Sequence, residues 1–272
     1  MNFLVLLLAL VVEKFSSGRR SIQHDGLWLA WLARCDGPRP WLALALAVLL
    51  PLVLLALLLL ILRPLAYGWL TLPVHLLVLI YSLGRGDVQA LLGPFRDAWR
   101  RGDEQAALHV AERDLGVSAD SEAQLLERVQ EYELWQGYQG FFAVIFWYAL
   151  LGPIPALAYR LLALSGEHGQ PALAERAAQL RHAFDWLPVR VLAASFSLVG
   201  NFAAVSRAVL HDLLVWDQPA TQLLANAGRA ACDLGEAQAG EAGSNTLDEL
   251  WQLLIRSAVL WYAAFAVWSL LL

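Results

Sequence analysis

Ionisable side chains inside apolar stretches are where this sequence could do chemistry. A charge in lipid is costly and is kept only with a partner or a task. Glu13 closes a first apolar run, Arg160 lies near the end of a long one, and Asp185-Trp186-Leu187-Pro188-Val189-Arg190 opens another. Arg190 sits a turn inside that segment and needs an anion or a carboxylate, with Glu13 and Asp185 as candidates. Asp185, Trp186 and Pro188 also have a structural reading. Proline just inside a helix start, after an Asp and an interfacial Trp, makes a span entrance. Glu13 has one too, paired with Lys14 or Arg19, and Arg160 has one as a side chain snorkelling to the interface. Gly84-Arg85-Gly86-Asp87 could cradle a phosphate, or simply turn the chain out of a span. His75 and Asn201 read as hydrogen-bonded glue between helices.

Catalytic signatures are absent: the sequence has no P-loop, G-x-S-x-G, H-E-x-x-H or C-x-x-C. The histidines are scattered without ligand spacing. Cys35 and Cys232 have no partner motif, so neither a disulfide framework nor a metal site follows. The residues name no cofactor. A net charge of −5 argues against a nucleic-acid partner.

These side chains must be positioned by helices. Of the 272 residues 59% are hydrophobic and 16% charged, well beyond the roughly 45–50% and 25% of a soluble domain. The excess collects in uncharged runs that do not alternate as barrel strands do. The expected fold is all-α, a polytopic membrane protein with five or six membrane helices. The spans are Trp41–Leu62, Leu65–Leu83, Tyr138–Leu164, Leu187–Val205 and Trp251–Leu272, with Asn2–Val12, continuing to Phe15, as a short sixth that lacks a cleavage site. The organisation follows: a membrane region at 1–83, with a hairpin at 41–83 turning at Arg63-Pro64; a helical segment at 84–137; a membrane region at 138–205 broken by Gly152-Pro153-Ile154-Pro155; a polar, partly flexible segment at 206–249; and a terminal membrane helix at 250–272. Ser121 with Gln124, and Thr246 with Glu249, read as capping boxes. Arg85, Arg96, Arg100, Arg101, Arg113 and Arg128 put the 84–137 segment on the cytoplasmic side of the membrane.

FLVLLLALVVEKF, GYQGFFAVIFWYALLGPIPALAYRLL and DWLPVRVLAASFSLVGN, in that order and spacing, resemble the AmpE family. The resemblance implies an inner-membrane regulatory modulator of β-lactamase induction, tied to cell-wall recycling, rather than an enzyme. AmpE is in turn distantly similar to the CbiB/CobD membrane proteins of cobalamin synthesis, which join an aminopropanol arm to a corrin carboxylate. By that similarity the pattern falls on Gly102-Asp103, Arg113-Asp114, Arg160, and Pro188 with Arg190. That family's acid and amide cluster is replaced by ELWQGYQGFF, with Trp135, Gln136 and Tyr138 in its place, so the ligase chemistry lacks its residues unless Glu131 or Glu133 substitutes. The candidate ligand-binding residues are Glu13, Arg85, Asp87, Arg113, Asp114, Arg160, Asp185 and Arg190. The partners expected are membrane lipid, a muropeptide or other phosphate-bearing ligand, and a partner protein or a second copy.

Overall fold

The structure, a computed structural model, describes residues 2–15, 23–35, 37, 39–84, 87–235 and 240–271, and of residues 2, 10–15 and 66 the backbone only. Among the described residues every regular element is helical. In chain order these are α1 (Asn2–Phe15), α2 (Gly26–Cys35), α3 (Pro40–Leu62), α4 (Thr71–Ser82), α5 (Val88–Arg100), α6 (Glu104–Val110), α7 (Glu122–Gly137), α8 (Ala143–Leu151), α9 (Pro153–His168), α10 (Pro171–Val199), α11 (Phe202–Val209), α12 (Ala220–Ala231) and α13 (Gly240–Leu271).

The chain divides into two compact units. The first comprises Met1–Arg85, Gly140–Asp185 and Phe265–Leu272. Here α9 packs on α3, α4 and α8, and α2 packs on α3. Its core includes Trp28, Leu44, Val48, Leu161, Leu164 and Leu173. The side-chain amide of Gln23 donates to the carbonyls of Ile80 (2.9 Å) and Leu83 (3.2 Å), groups the end of α4 leaves without helical partners. His75 on α4 bonds the Tyr148 hydroxyl on α8 at 3.0 Å, the helix-to-helix role read for it.

Gly84 and Gly140 allow a close backbone approach in this unit. The Gly84 amide donates to the Gly140 carbonyl at 2.7 Å, and a Cβ at Gly84 would lie 2.7 Å from the Gly140 Cα. Backbone cannot give way as a side chain can. Gly84→Val is therefore expected to destabilise by about 1–3 kcal/mol or more. A detergent melting curve superimposing on wild type would remove this contact from the account.

The second unit comprises Gly86–Gln139 and Trp186–Ala264. Here α5 packs on α6 and α7, and α12 on α7 and α11. The core beneath α5 holds Leu92, Phe95, Trp99, Leu125, Leu126 and Leu247. Caps start its helices. Asp87 accepts from the amides of Gln89 and Ala90, Asp103 from Ala106, and Ser121 from Gln124. The Gln124 side chain reaches back past the Ser121 amide that a full box would use and accepts from that of Asp120, at 2.9 Å.

Several sequence expectations change here. Among the described residues two helices, Pro40–Leu62 and Gly240–Leu271, are long and apolar enough to cross a membrane. The other apolar segments are interrupted. The 65–83 segment begins with a 3-10 turn, Leu65–Gly68, in which Tyr67 and Gly68 both have positive φ, and its α-helix starts only at Thr71. Gly152, at φ 84 and ψ −159, ends α8 in a conformation glycine alone adopts freely, and Pro153 starts α9. Gly200 breaks the 187–205 segment, and Asn201 is the N-cap of α11 rather than inside a span, though its side-chain amide does tie the start of α11 to Asp233 just past α12. Pro188 lies inside α10, which begins at Pro171, so it is not a helix start. Thr246 is likewise no cap, because α13 runs through it from Gly240; its hydroxyl donates within the helix to Gly243 and accepts from Gln130. Of the flexible stretch read at Gly235–Ser244, residues 236–239 lie outside the described residues and 240–244 are helical.

Candidate functional site

The first unit gathers a polar cluster from four helices. Asp25 precedes α2, Tyr81 ends α4, Tyr159 and Arg160 lie on α9, and Arg181 and Asp185 on α10. Because Gln23 ties the chain before α2 to the end of α4, Asp25 comes under Tyr81, whose hydroxyl donates to Asp25 Oδ1 at 3.0 Å. Arg160 Nη2 faces Asp25 Oδ2 at 3.9 Å, a loose pair. The buried Arg160 Nε makes no hydrogen bond among the described residues. Its side chain is only 14% exposed, so Arg160 does not snorkel. Arg181 Nε lies 3.6 Å from Asp185 Oδ2, one turn along α10, with its guanidinium 5.5 Å from the centre of the Tyr159 ring. Two guanidinium groups and two carboxylates thus share an interior face, and the Arg160 Nε has a proton left to donate. Of the candidates read from sequence, the structure brings Arg160 and Asp185 here. Asp25, Tyr81, Tyr159 and Arg181 were missed.

The other candidates are elsewhere. Arg85 lies outside the described residues, as does the Glu13 side chain, although its backbone is in α1. Asp87 is spent on capping α5. Arg113 and Asp114 form an exposed bidentate pair, both contacts 2.7 Å, and the hydrogen bond from Arg113 holds the Asp114 carboxyl below its usual range. Among the described residues Arg190 is held not by a carboxylate, one of the two partners the sequence suggested, but by backbone. It donates to three carbonyls: Trp186 (2.7 Å), Val215 (2.6 Å) and Leu213. Three backbone dipoles, with the Trp186 ring 4.2 Å from the guanidinium carbon, take the place of a counter-ion.

The second unit has its own buried carboxylate. Glu133, fully buried on α7, accepts from Gln89 Nε2 at 2.8 Å and Arg96 Nη2 at 3.1 Å. Arg96 also pairs with Asp248 on α13. Burial pushes the Glu133 carboxyl from 4.5 up to about 8, against the pull of Arg96. An open depression of about 530 Å³ is lined by Asn201, Cys232, Asp233, Glu249 and Arg256, among others. Burial pushes the Cys232 thiol up to about 11, so it is not a reactive thiolate. Among the described residues no three His, Cys, Asp or Glu side chains come together as a metal ion requires.

Together these features define an all-helical protein with helices fit to cross a membrane and buried charge clusters within its units. The family model described as "Regulatory signalling modulator protein AmpE" matches residues 1–227. The chain belongs to that family. No curated protein matches it, and no solved structure does.

Proposed function

We propose that this AmpE-family chain is a multi-pass protein of the bacterial inner membrane that couples an anionic, phosphate-bearing cell-wall fragment to β-lactamase induction. The observation that carries the ligand reading is the Arg160 guanidinium, whose buried Nε makes no hydrogen bond among the described residues, beside Arg181. A phosphate or carboxylate matches such a fork bidentately, while the 3.9 Å pair to Asp25 holds it weakly. An anion that takes Arg160 from Asp25 loosens the start of α2 from α9. That change is a signal without a covalent step. The test is inducible β-lactamase in cells carrying Arg160→Ala.

The membrane reading is supported by α3. It is uncharged, and Leu46, Leu50, Leu54, Leu57, Leu58 and Ile61 are all exposed, which water would penalise and lipid would not. We assign four spans, at 41–62, 65–83, 138–164 and 251–272, with α1 as a shorter fifth. The 187–205 segment turns back at Gly200, since Arg190 near its start bonds the carbonyls of Leu213 and Val215 beyond its end. The segment 84–137 is then cytoplasmic, by its arginines. Cysteines at Asp103 and Ser118 should resist a membrane-impermeant thiol reagent in intact cells with a permeabilised outer membrane. Ready labelling there reverses the orientation.

A second reading, an enzyme of the CbiB type acting on an amphipathic phosphate-bearing substrate, is favoured by the raised Glu133 carboxyl, which lies in the range of a general base.

A further inference from the structure

The turn between α11 and α12 combines exposed apolar side chains with an unusual brace. Leu214 is 83% exposed, and Leu210, Val215 and Trp216 are exposed too. The turn is irregular: the amides of Asp212 and Leu213 both return to the Val209 carbonyl, and that of Val215 to Asp212. Its own carbonyls at Leu213 and Val215 are met from outside, by Arg190. The same guanidinium lies over the Trp186 ring, and Trp186 stacks on Trp216 with ring centres 6.0 Å apart.

In water this arrangement gains little. Water would satisfy the carbonyls and hydrate the guanidinium, and Leu210, Leu214 and Trp216 would have no reason to face outward. In the boundary of a bilayer every part has a physical reason. An irregular backbone is tolerated at membrane depth only where its polar groups are bonded within the protein. A guanidinium there needs acceptors and an aromatic face. Tryptophan, with an apolar body and one N–H, concentrates at that depth. Exposed His211 and Asp217 flank the apolar side chains and would reach the headgroups, which fixes the level at the interface rather than the hydrocarbon centre. Within the same unit Leu187, Val191 and Leu198 on α10 are exposed as well, so the apolar surface does not stop at the turn.

We propose that the Leu210–Trp216 turn is an interfacial wedge, seating Leu210, Leu214 and Trp216 in the headgroup–acyl boundary of a phospholipid leaflet, with Arg190 as the brace that lets the turn lie there. The occupant of this surface is lipid. The inference rests on the membrane reading above, and its test separates the two.

Full-length protein with Cys35→Ser and Cys232→Ser carries a single added cysteine at Leu214, at Leu54 on α3, or at Ser118. Each is labelled with an environment-sensitive fluorophore and placed in vesicles of phosphatidylcholine with a minority of phosphatidylglycerol. Leu214 should be quenched strongly by lipids brominated high on the acyl chain and little by aqueous iodide, with Ser118 showing the reverse. Arg190→Ala should invert the Leu214 pattern while Leu54 stays lipid-quenched. Arg190→Lys, whose single ammonium cannot bridge the carbonyls as a fork does, should also lose lipid quenching at Leu214. Iodide quenching at Leu214 with Leu54 still in lipid overturns the wedge alone. Shielding from both quenchers, with Leu214 cysteines cross-linking between copies, overturns it in favour of a protein interface. Lipid quenching unchanged in both Arg190 variants overturns the brace. If Leu54 itself is open to iodide and blind to brominated lipid, the membrane reading fails.

Discussion

Cells carrying Arg160→Ala are expected to lose β-lactamase induction, falling to the uninduced level, while the protein stays in the membrane in near wild-type amount. The two halves of this expectation have different causes. Stability should change little, because the Arg160–Asp25 pair is long at 3.9 Å. Such pairs contribute about 0–1 kcal/mol when water can reach them, and both side chains retain some exposure, 14% and 15%. Asp25 also keeps the Tyr81 hydroxyl when the guanidinium is removed. Function should change greatly, because the Arg160 pair joins α9 to the chain before α2, whereas Arg176 and Arg181 pair with Glu175 and Asp185 on their own helix. Arg160→Lys restores the charge and not the planar fork, so it should recover only part of the response. Asp25→Asn removes the internal competitor and should shift induction to lower inducer concentration. Full inducibility of Arg160→Ala sinks the anion-sensor reading. Disappearance of the protein from the membrane in both Arg160 variants, with Asp25→Asn inert, makes the cluster a structural tie.

How much of this was legible from sequence depends on whether a residue's environment is local. Arg160, Asp185 and Arg190 stand out because a charge inside an apolar run is visible without knowing the fold. Their partners are not visible. Asp25 is more than a hundred positions from Arg160 in a polar stretch, and nothing there marks it. Arg190 was read as needing an anion or a carboxylate because sequence displays side chains, whereas the acceptors in its fold are carbonyls that every residue carries. Helix boundaries followed the same rule. Ser121 and Asp103 act through neighbours a few positions away and were readable. Thr246 and Pro188 show the same local chemistry, but the chain on their N-terminal side continues as helix and overrides it. The spans were read from apolar runs, and the interruptions at Leu65–Gly68 and Gly200 depend on backbone conformation that composition hardly records.

Glu133→Gln is expected to abolish most of the pH dependence of the second unit's stability, and its direction follows from the raised carboxyl. The ordinary value is 4.5 and the folded value about 8. Between those values the folded state holds a proton that the unfolded state has released, so stability falls as pH rises. The contribution of protonated Glu133 is fully present below about 4.5 and is lost as pH rises through about 8. At one pKa unit per about 1.4 kcal/mol, its ceiling is about 4–5 kcal/mol. Glutamine keeps an oxygen to accept from Gln89 and Arg96 and has no charge to desolvate. Wild type and Glu133→Gln should therefore melt alike at acid pH, with the variant the more stable at alkaline pH. Parallel curves across the range would show that the Glu133 carboxyl titrates alike in the folded and unfolded states. The same variant separates sensor from enzyme. A general base must lie within hydrogen-bond reach of the proton it takes, yet Glu133 has no exposed surface and one oxygen is already bonded to Gln89 and Arg96. Purified protein given a phospho-aminoalcohol and a corrin acid should form no amide, with a CbiB-type enzyme as positive control. If wild type turns over and Glu133→Gln stops while Glu131→Gln continues, Glu133 is the base, the unit must open to admit substrate, and the enzyme reading replaces the sensor.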